Sequence, residues 1–316
     1  MAEGNGLWWL IEVSANGVAS IGRMIQNREQ KPANFKTGNT MKKYIVLTFF
    51  AAMMVACTPP KEEAVVAIET APEAPEPAAY YEFLWCSFGE NYSEGARDAY
   101  FAEFNAIADS MTERGMRAFG YRPRDWESKD FDALWVNRWP DKQSSTEGWA
   151  EWREKGGNDT LQENNPNVLD CGQQAGTDVF GYTTYIPKDR PSTFSIENPP
   201  YHADNLFCSF NEGKGPEDIR AFIRDHYLPF TETYTKENPD NSYWFAIGVP
   251  DFEPAEDRPH DFNWINYFSS AEEAAGGISE YETNQTDLQS RLAEIVTCAD
   301  RALWNAIPIR IPANST

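Results

Sequence analysis

One cassette occurs twice in this chain, in the same order. Trp85-Cys86-Ser87-Phe88 precedes Trp135-Val136-Asn137-Arg138-Trp139 and a solitary Cys171. Phe207-Cys208-Ser209-Phe210 precedes Trp264-Ile265-Asn266-Tyr267-Phe268 and a solitary Cys298. An echo of this kind constrains the fold more than any single residue does. It requires two halves built from one unit, each with an apolar face to bury.

Each half reads strand, helix, strand, strand, helix, strand. In the first, residues 83–88 form a short aromatic strand. Ser93 then caps a helix whose Tyr100, Phe104, Ile107, Ala108 and Met111 keep helical spacing. Strands at 116–121 and 133–139, a helix at 144–155 and a strand at 179–186 complete the unit. In the second half, 206–210 opens and Gly215-Pro216 starts a helix. Its inner stripe is Ile219, Phe222, Ile223, His226 and Phe230, with an end or kink at Pro229. Strands at 243–249 and 263–268, helix within 271–295 and a last strand at 302–309 follow. The boundaries are a first α+β repeat at 80–190, a Pro-rich linker at 191–200 and a second repeat at 201–312.

A βαββαβ order places both helices on one face of a four-stranded antiparallel sheet, the ferredoxin-like arrangement. The other face is bare, and two such faces can cover one another. Over residues 80–310 the chain resembles the dimeric α+β barrel superfamily, including the antibiotic-biosynthesis-monooxygenase-like and EthD-like proteins, with both halves in one chain. The resemblance implies an α+β fold of two tandem ferredoxin-like repeats packed sheet to sheet as a pseudo-dimeric barrel within a monomer. It also implies a cofactor-independent, oxygenase-like enzyme as an alternative to a small-molecule binder or a structural, protein-interaction role. Some members degrade haem with Asn, Trp and His around the ring; Asn266, Trp264 and His226 are those residue types here. The spacing itself contains no haem motif, and no cofactor is predicted.

Setting Cys57 aside, four cysteines allow three pairings. Each half owns one Cys on its first strand and one just ahead of its last, and these strands are neighbours in the resembled fold. Cys86–Cys171 and Cys208–Cys298 are therefore the expected bridges. A zinc site lacking any C-x-x-C spacing and four buried thiols are the alternatives; no metal site is predicted.

Side chains alternate across a strand, and a bridging Cys should face the helices. Trp85, Ser87, Phe207 and Ser209 are then expected between the sheets. The matching sets on the third strand of each half are taken as Trp135, Asn137, Trp139 and Trp264, Asn266, Phe268. Buried amides must find partners. Asn137 and Asn266 either bond to backbone and trapped water or anchor a small apolar or planar ligand in an aromatic-walled cavity. His226, on the apolar stripe, is a core residue or a further ligand contact.

A formal charge of -22 argues against nucleic acid as a partner. The chain contains no phosphate-binding glycine loop, nucleophile elbow or zinc-protease motif. Its three histidines, His202, His226 and His260, all lie in the second half. The acidic 251–261 loop lacks the EF-hand pattern.

The address lies upstream. Lys42 and Lys43 precede an apolar run from Tyr44 to Met54, too short to span a bilayer, and small residues end at Cys57. Residues 41–57 resemble a bacterial lipoprotein signal, with Met54 where Leu is usual. The resemblance implies a signal peptide at 41–56, lipidation of Cys57 and, with Thr58 following, an outer-membrane lipoprotein facing the periplasm. Met41 is then the expected start, with residues 1–40 a miscalled start or an extension. Residues 57–79 form a Pro/Glu/Ala tether reaching roughly 70 Å if extended.

Overall fold

The computed structural model describes residues 75–172 and 179–312. The signal, Cys57, the tether through residue 74 and residues 1–40 lie outside the described residues.

Strand β1 (Ala79–Phe88) leads to helix α1 (Glu94–Asp109). Ser93 caps that helix, its side chain accepting from the Ala96 N–H at 3.2 Å and so satisfying a first-turn donor. Strands β2 (Arg117–Pro123) and β3 (Ala133–Trp139) follow, then α2 (Lys142–Glu154), α3 (Gly157–Asn164), the short β4 (Leu169–Cys171) and β5 (Val179–Tyr185). The second half runs β6 (Tyr201–Phe210), α4 (Pro216–Phe222), a π-helical turn (Ile223–Tyr227) and α5 (Leu228–Glu237). It continues with β7 (Trp244–Pro250), β8 (Phe262–Phe268), α6 (Ala271–Asn284), α7 (Thr286–Ile295), β9 (Val296–Cys298) and β10 (Ala302–Arg310).

All pairings are antiparallel, in the order β10-β2-β3-β1-β5-β7-β8-β6, and β6 pairs back to β10. Eight strands therefore close into a barrel. The expected barrel is thus a single closed sheet, its two four-stranded sets joined edge to edge by hydrogen bonds and not only packed face to face. Each four-stranded set would leave two edges of unpaired N–H and C=O groups. Pairing β5 with β7, from Tyr182↔Pro250 to Tyr185↔Ile247, and β10 with β2 removes all four. The strands of the first half lie in the order β2-β3-β1-β5 and those of the second in the order β7-β8-β6-β10.

The short β4 and β9 lie outside the ring, on the far ends of β1 and β6, with Cys86 opposite Cys171 and Cys208 opposite Cys298. Both pairs are disulfide-bonded.

Alternation divides the apolar residues into three cores. Tyr81, Phe83, Val136, Ile265, Tyr267 and Trp304 belong to the barrel interior. Leu84, Cys86, Phe104, Trp135, Trp139 and Trp152 pack between the first half's strands and its helices. Cys208, Phe222, Tyr227, Phe245, Trp264 and Phe268 do so in the second half. Cys86 and Cys208 face the helices, as a bridging Cys is expected to.

The faces of β3 and β8 are the reverse of those expected. Residues directly opposite in a sheet point to the same side. The register sets Leu84 against Trp135 and Cys86 against Ala133, so Trp135, Asn137 and Trp139 share the helix side with the cysteine. Likewise Leu206 opposes Trp264, placing Trp264, Asn266 and Phe268 under the helices. The aromatic content of that face reflects a helix layer packed on it. In each half a glycine lets the helix approach: a Cβ on Gly148 would lie 2.3 Å from the Trp139 ring, and one on Gly277 3.1 Å from that of Phe268.

His226 is corrected too. The π-helical turn adds one residue to the turn that precedes Pro229, which has no N–H to donate. The inner stripe then steps from Ile223 to Tyr227 and Thr231, both buried, and His226 is exposed.

Candidate functional site

Two cavities have walls suited to a ligand. The first, about 190 Å³, lies between the helix side of the second half's strands and α5, α6 and α7. Its walls include Tyr227, Phe230, Trp264, Phe268, Tyr281 and Leu292.

Its floor is a chain of buried polar groups. Tyr243 donates to Asn266 Oδ1 at 2.7 Å, so the 2.6 Å contact between Tyr227 and Tyr243 has Tyr227 as donor. Trp264 Nε1 donates to the same Oδ1 at 3.0 Å. Asn266 Nδ2 donates to Asp204 Oδ1 at 2.6 Å, where Arg301 Nη1 also arrives at 3.0 Å. Burial pushes the Asp204 carboxyl above the usual carboxylate range, against the pull of Arg301 and Asn266. Burial also raises the Tyr227 and Tyr243 phenols, which stay protonated donors. Asn241 Nδ2 and Asp204 Oδ2 are buried without hydrogen-bond partners.

The same place in the first half is filled. Trp135 Nε1 donates to Asn137 Oδ1 at 2.9 Å, repeating the Trp264–Asn266 bond. These two asparagines therefore satisfy the indole two residues before them, since i and i+2 share a face. Glu82, at the strand position of Asp204, accepts from Trp139 at 2.8 Å, Ser145 at 2.6 Å and Trp149 at 2.9 Å. Counted from the caps Asp141 and Ser270, Trp149 corresponds to Ile278, Trp152 to Tyr281 and Ser145 to Ala274. Smaller residues at these positions leave the second half hollow.

The second cavity, about 280 Å³, occupies one end of the barrel interior. Tyr81, Phe119, Tyr121, Tyr201, Trp244 and Tyr267 contribute to its wall, with Arg117, Arg138 and Arg190. The interior amide pair is Asn205–Asn263, with Nδ2 to Oδ1 at 3.0 Å. Those asparagines fall outside the repeated Trp-x-Asn pattern, so the repeat carries no signal for them.

The expected site residues are thus dispersed. Trp85 lies at the opposite end of the barrel, against Phe131 and Phe180 at 5.1 and 5.3 Å between ring centroids. Phe207 packs on His260 at 5.0 Å. Ser87 is exposed and Ser209 donates to the Pro259 carbonyl at 3.2 Å. Trp264, Asn266 and Phe268 line the helix-side pocket, whereas Trp135, Asn137 and Trp139 belong to the filled counterpart.

A histidine-ligated haem does not fit the pocket. His226 is exposed, no histidine lines the wall, and about 190 Å³ is below the roughly 300–1,000 Å³ of clefts for drug-sized ligands. Among the described residues no group of three or more His, Cys, Asp or Glu side chains is placed to hold a metal ion. No helix among them is long and apolar enough to cross a membrane.

No family model matches the chain, and no curated protein matches it in sequence. Among solved structures, a chlorite dismutase from Candidatus Nitrospira defluvii in complex with imidazole is similar at 9% identity and a TM-score of 0.45. The match covers 74% of this chain and 93% of that one. A Lactobacillus acidophilus protein provisionally described as a monooxygenase is similar at 12% identity and a TM-score of 0.43, over 74% of this chain and 95% of that one. A Fusobacterium nucleatum protein of the same provisional description gives 9% and 0.44, over 75% and 95%.

Proposed function

We propose that this chain is an envelope-anchored lipoprotein that holds a small, largely apolar molecule in the helix-side pocket of its second half. One observation carries the reading: two halves with the same strand order differ in what their second helix lays on the sheet, where Trp149 and Trp152 give way to Ile278 and Tyr281. In this reading the halves are a tandem duplication, with one copy kept solid as scaffold and the other opened. An engineered cavity of about 150 Å³ admits benzene, so this pocket suits a single ring or a short branched chain. Asn241 Nδ2 supplies a hydrogen bond to an acceptor on that molecule.

Ile278→Trp tests the pocket by restoring the first half's residue. It is expected to fill the cavity and abolish ligand retained through purification, read by native mass spectrometry, with stability unchanged or higher. Retention equal to wild type would reject the pocket. Cys57→Ser tests the anchor: the wild type is expected in the membrane fraction with a diacylglycerol-sized mass added to a chain starting at Cys57, and the variant unlipidated. An unmodified wild-type chain starting at Met1 would reject the lipoprotein reading.

A further inference from the structure

The barrel-end cavity shares no lining residue with the helix-side pocket and has a different chemistry. Arg117 and Arg138 are directly opposite each other across β2 and β3. Like charges at such positions repel. Arg190, from the segment between the halves, reaches the same cavity, and Asp189 is the one carboxylate in its wall. Burial, then Arg138 and Arg190, hold the Arg117 guanidinium below its ordinary pKa. Among the described residues, the ion pairs of the protein include neither Arg138 nor Arg190. In a chain of charge -22, two guanidiniums that join no ion pair beside the same cavity are out of keeping with the surface at large.

The matching strand pair of the second half supplies rings instead of charges. Trp244 and Tyr267 are directly opposite across β7 and β8 and stack at 4.1 Å with 13° between planes. Phe194 closes on both from the inter-half segment, at 5.6 and 6.5 Å. A second, independent observation points to a ligand. Trp244 Nε1, on a residue 7% exposed, is buried without a hydrogen-bond partner. An indole N–H can only donate, so it calls for an acceptor. The Tyr267 phenol, its pKa raised by burial and then by Tyr121 and Tyr81, whose hydroxyls it meets, stays protonated beside it.

We propose that this cavity binds a small aromatic carboxylate, with its carboxylate on Arg138 and Arg190 and its ring against the Trp244–Tyr267 pair. Guanidinium forks match a planar carboxylate in two parallel hydrogen bonds. Aromatic walls take the ring, and the roughly 280 Å³ available accommodates one or two fused rings.

The test is isothermal titration of the full chain with 2-naphthoate, neutral 2-naphthamide, acetate and inorganic phosphate. Naphthoate is expected to bind at least about tenfold more tightly than each of the others, and more weakly as salt rises. Arg138→Gln is expected to remove that advantage while leaving naphthamide within about twofold. Arg190→Gln, at an exposed position where folding is not at stake, should weaken naphthoate severalfold. Ile278→Trp should leave naphthoate binding unchanged, which separates this site from the helix-side pocket. Equal affinity for naphthoate and naphthamide, phosphate or acetate binding as tightly as naphthoate, or indifference to Arg190→Gln would overturn the proposal.

Discussion

Cys208→Ala/Cys298→Ala is expected to lower the free energy of unfolding by about 4–5 kcal/mol, a large part of what a domain of this kind possesses. The bridge closes a loop of sequence separation 90, and the chain-entropy model scales its effect with the logarithm of that length. The native contacts it supports are few: β9 meets β6 through three residue pairs, Cys208↔Cys298, Ser209↔Thr297 and Phe210↔Val296. Most of the loss therefore arises in the unfolded chain. Urea melts should show a lower midpoint and a steeper slope, because the uncrosslinked chain exposes more surface when unfolded. Cys86→Ala/Cys171→Ala, with a separation of 85, should cost about the same, and the losses should add because the pairs sit in separate cores. A loss under about 1 kcal/mol for either pair would contradict the entropic account.

That these bridges were legible, while the face of Asn137 was not, has one physical cause. Alternation fixes which residues of a single strand share a side. It says nothing about how one strand's alternation is phased against the next, which depends on register. Cys86 and Cys171 needed only adjacency, which strand order supplies. Asn137 needed the pairing of Leu84 with Trp135, a fact carried by turn geometry and by helices waiting on that side. The same gap hid Arg117 against Arg138. Placing His226 failed for a local reason. Pro229 announced a disturbance, but a kink, a helix end and an added residue look alike in sequence, and only the last turns Tyr227 inward. Barrel closure was half legible. The bare faces demanded cover, and the unpaired edges decided that the cover comes with hydrogen bonds across β5–β7 and β10–β2.

Arg301→Met is expected to destabilise the protein by about 3 kcal/mol at neutral pH, the low end of the roughly 3–5 kcal/mol for stripping a buried charge of its partner. The low end applies because Arg301 keeps 21% of its side chain exposed, so solvent already screens part of the pair, whereas Asp204 keeps 2%. The sign of the pH dependence follows from Asp204. Its folded pKa lies above the unfolded value because burial outweighs Arg301 and Asn266. Between those two values the folded state holds a proton that the unfolded state has released. Asp204's contribution is therefore complete below the ordinary carboxylate pKa and is lost as pH rises through the raised one. Removing Arg301 pushes the folded pKa further up and widens that window, so the variant's deficit should shrink on acidification. Asp204→Asn keeps an acceptor for Asn266 Nδ2 without the charge, and Asp204→Asn/Arg301→Met should recover most of the loss. Denaturation curves for the four proteins across the acidic and neutral range give the coupling directly. A deficit independent of pH, and equally large in the double variant, would mean that Arg301 supports the fold through packing of its stem rather than through Asp204.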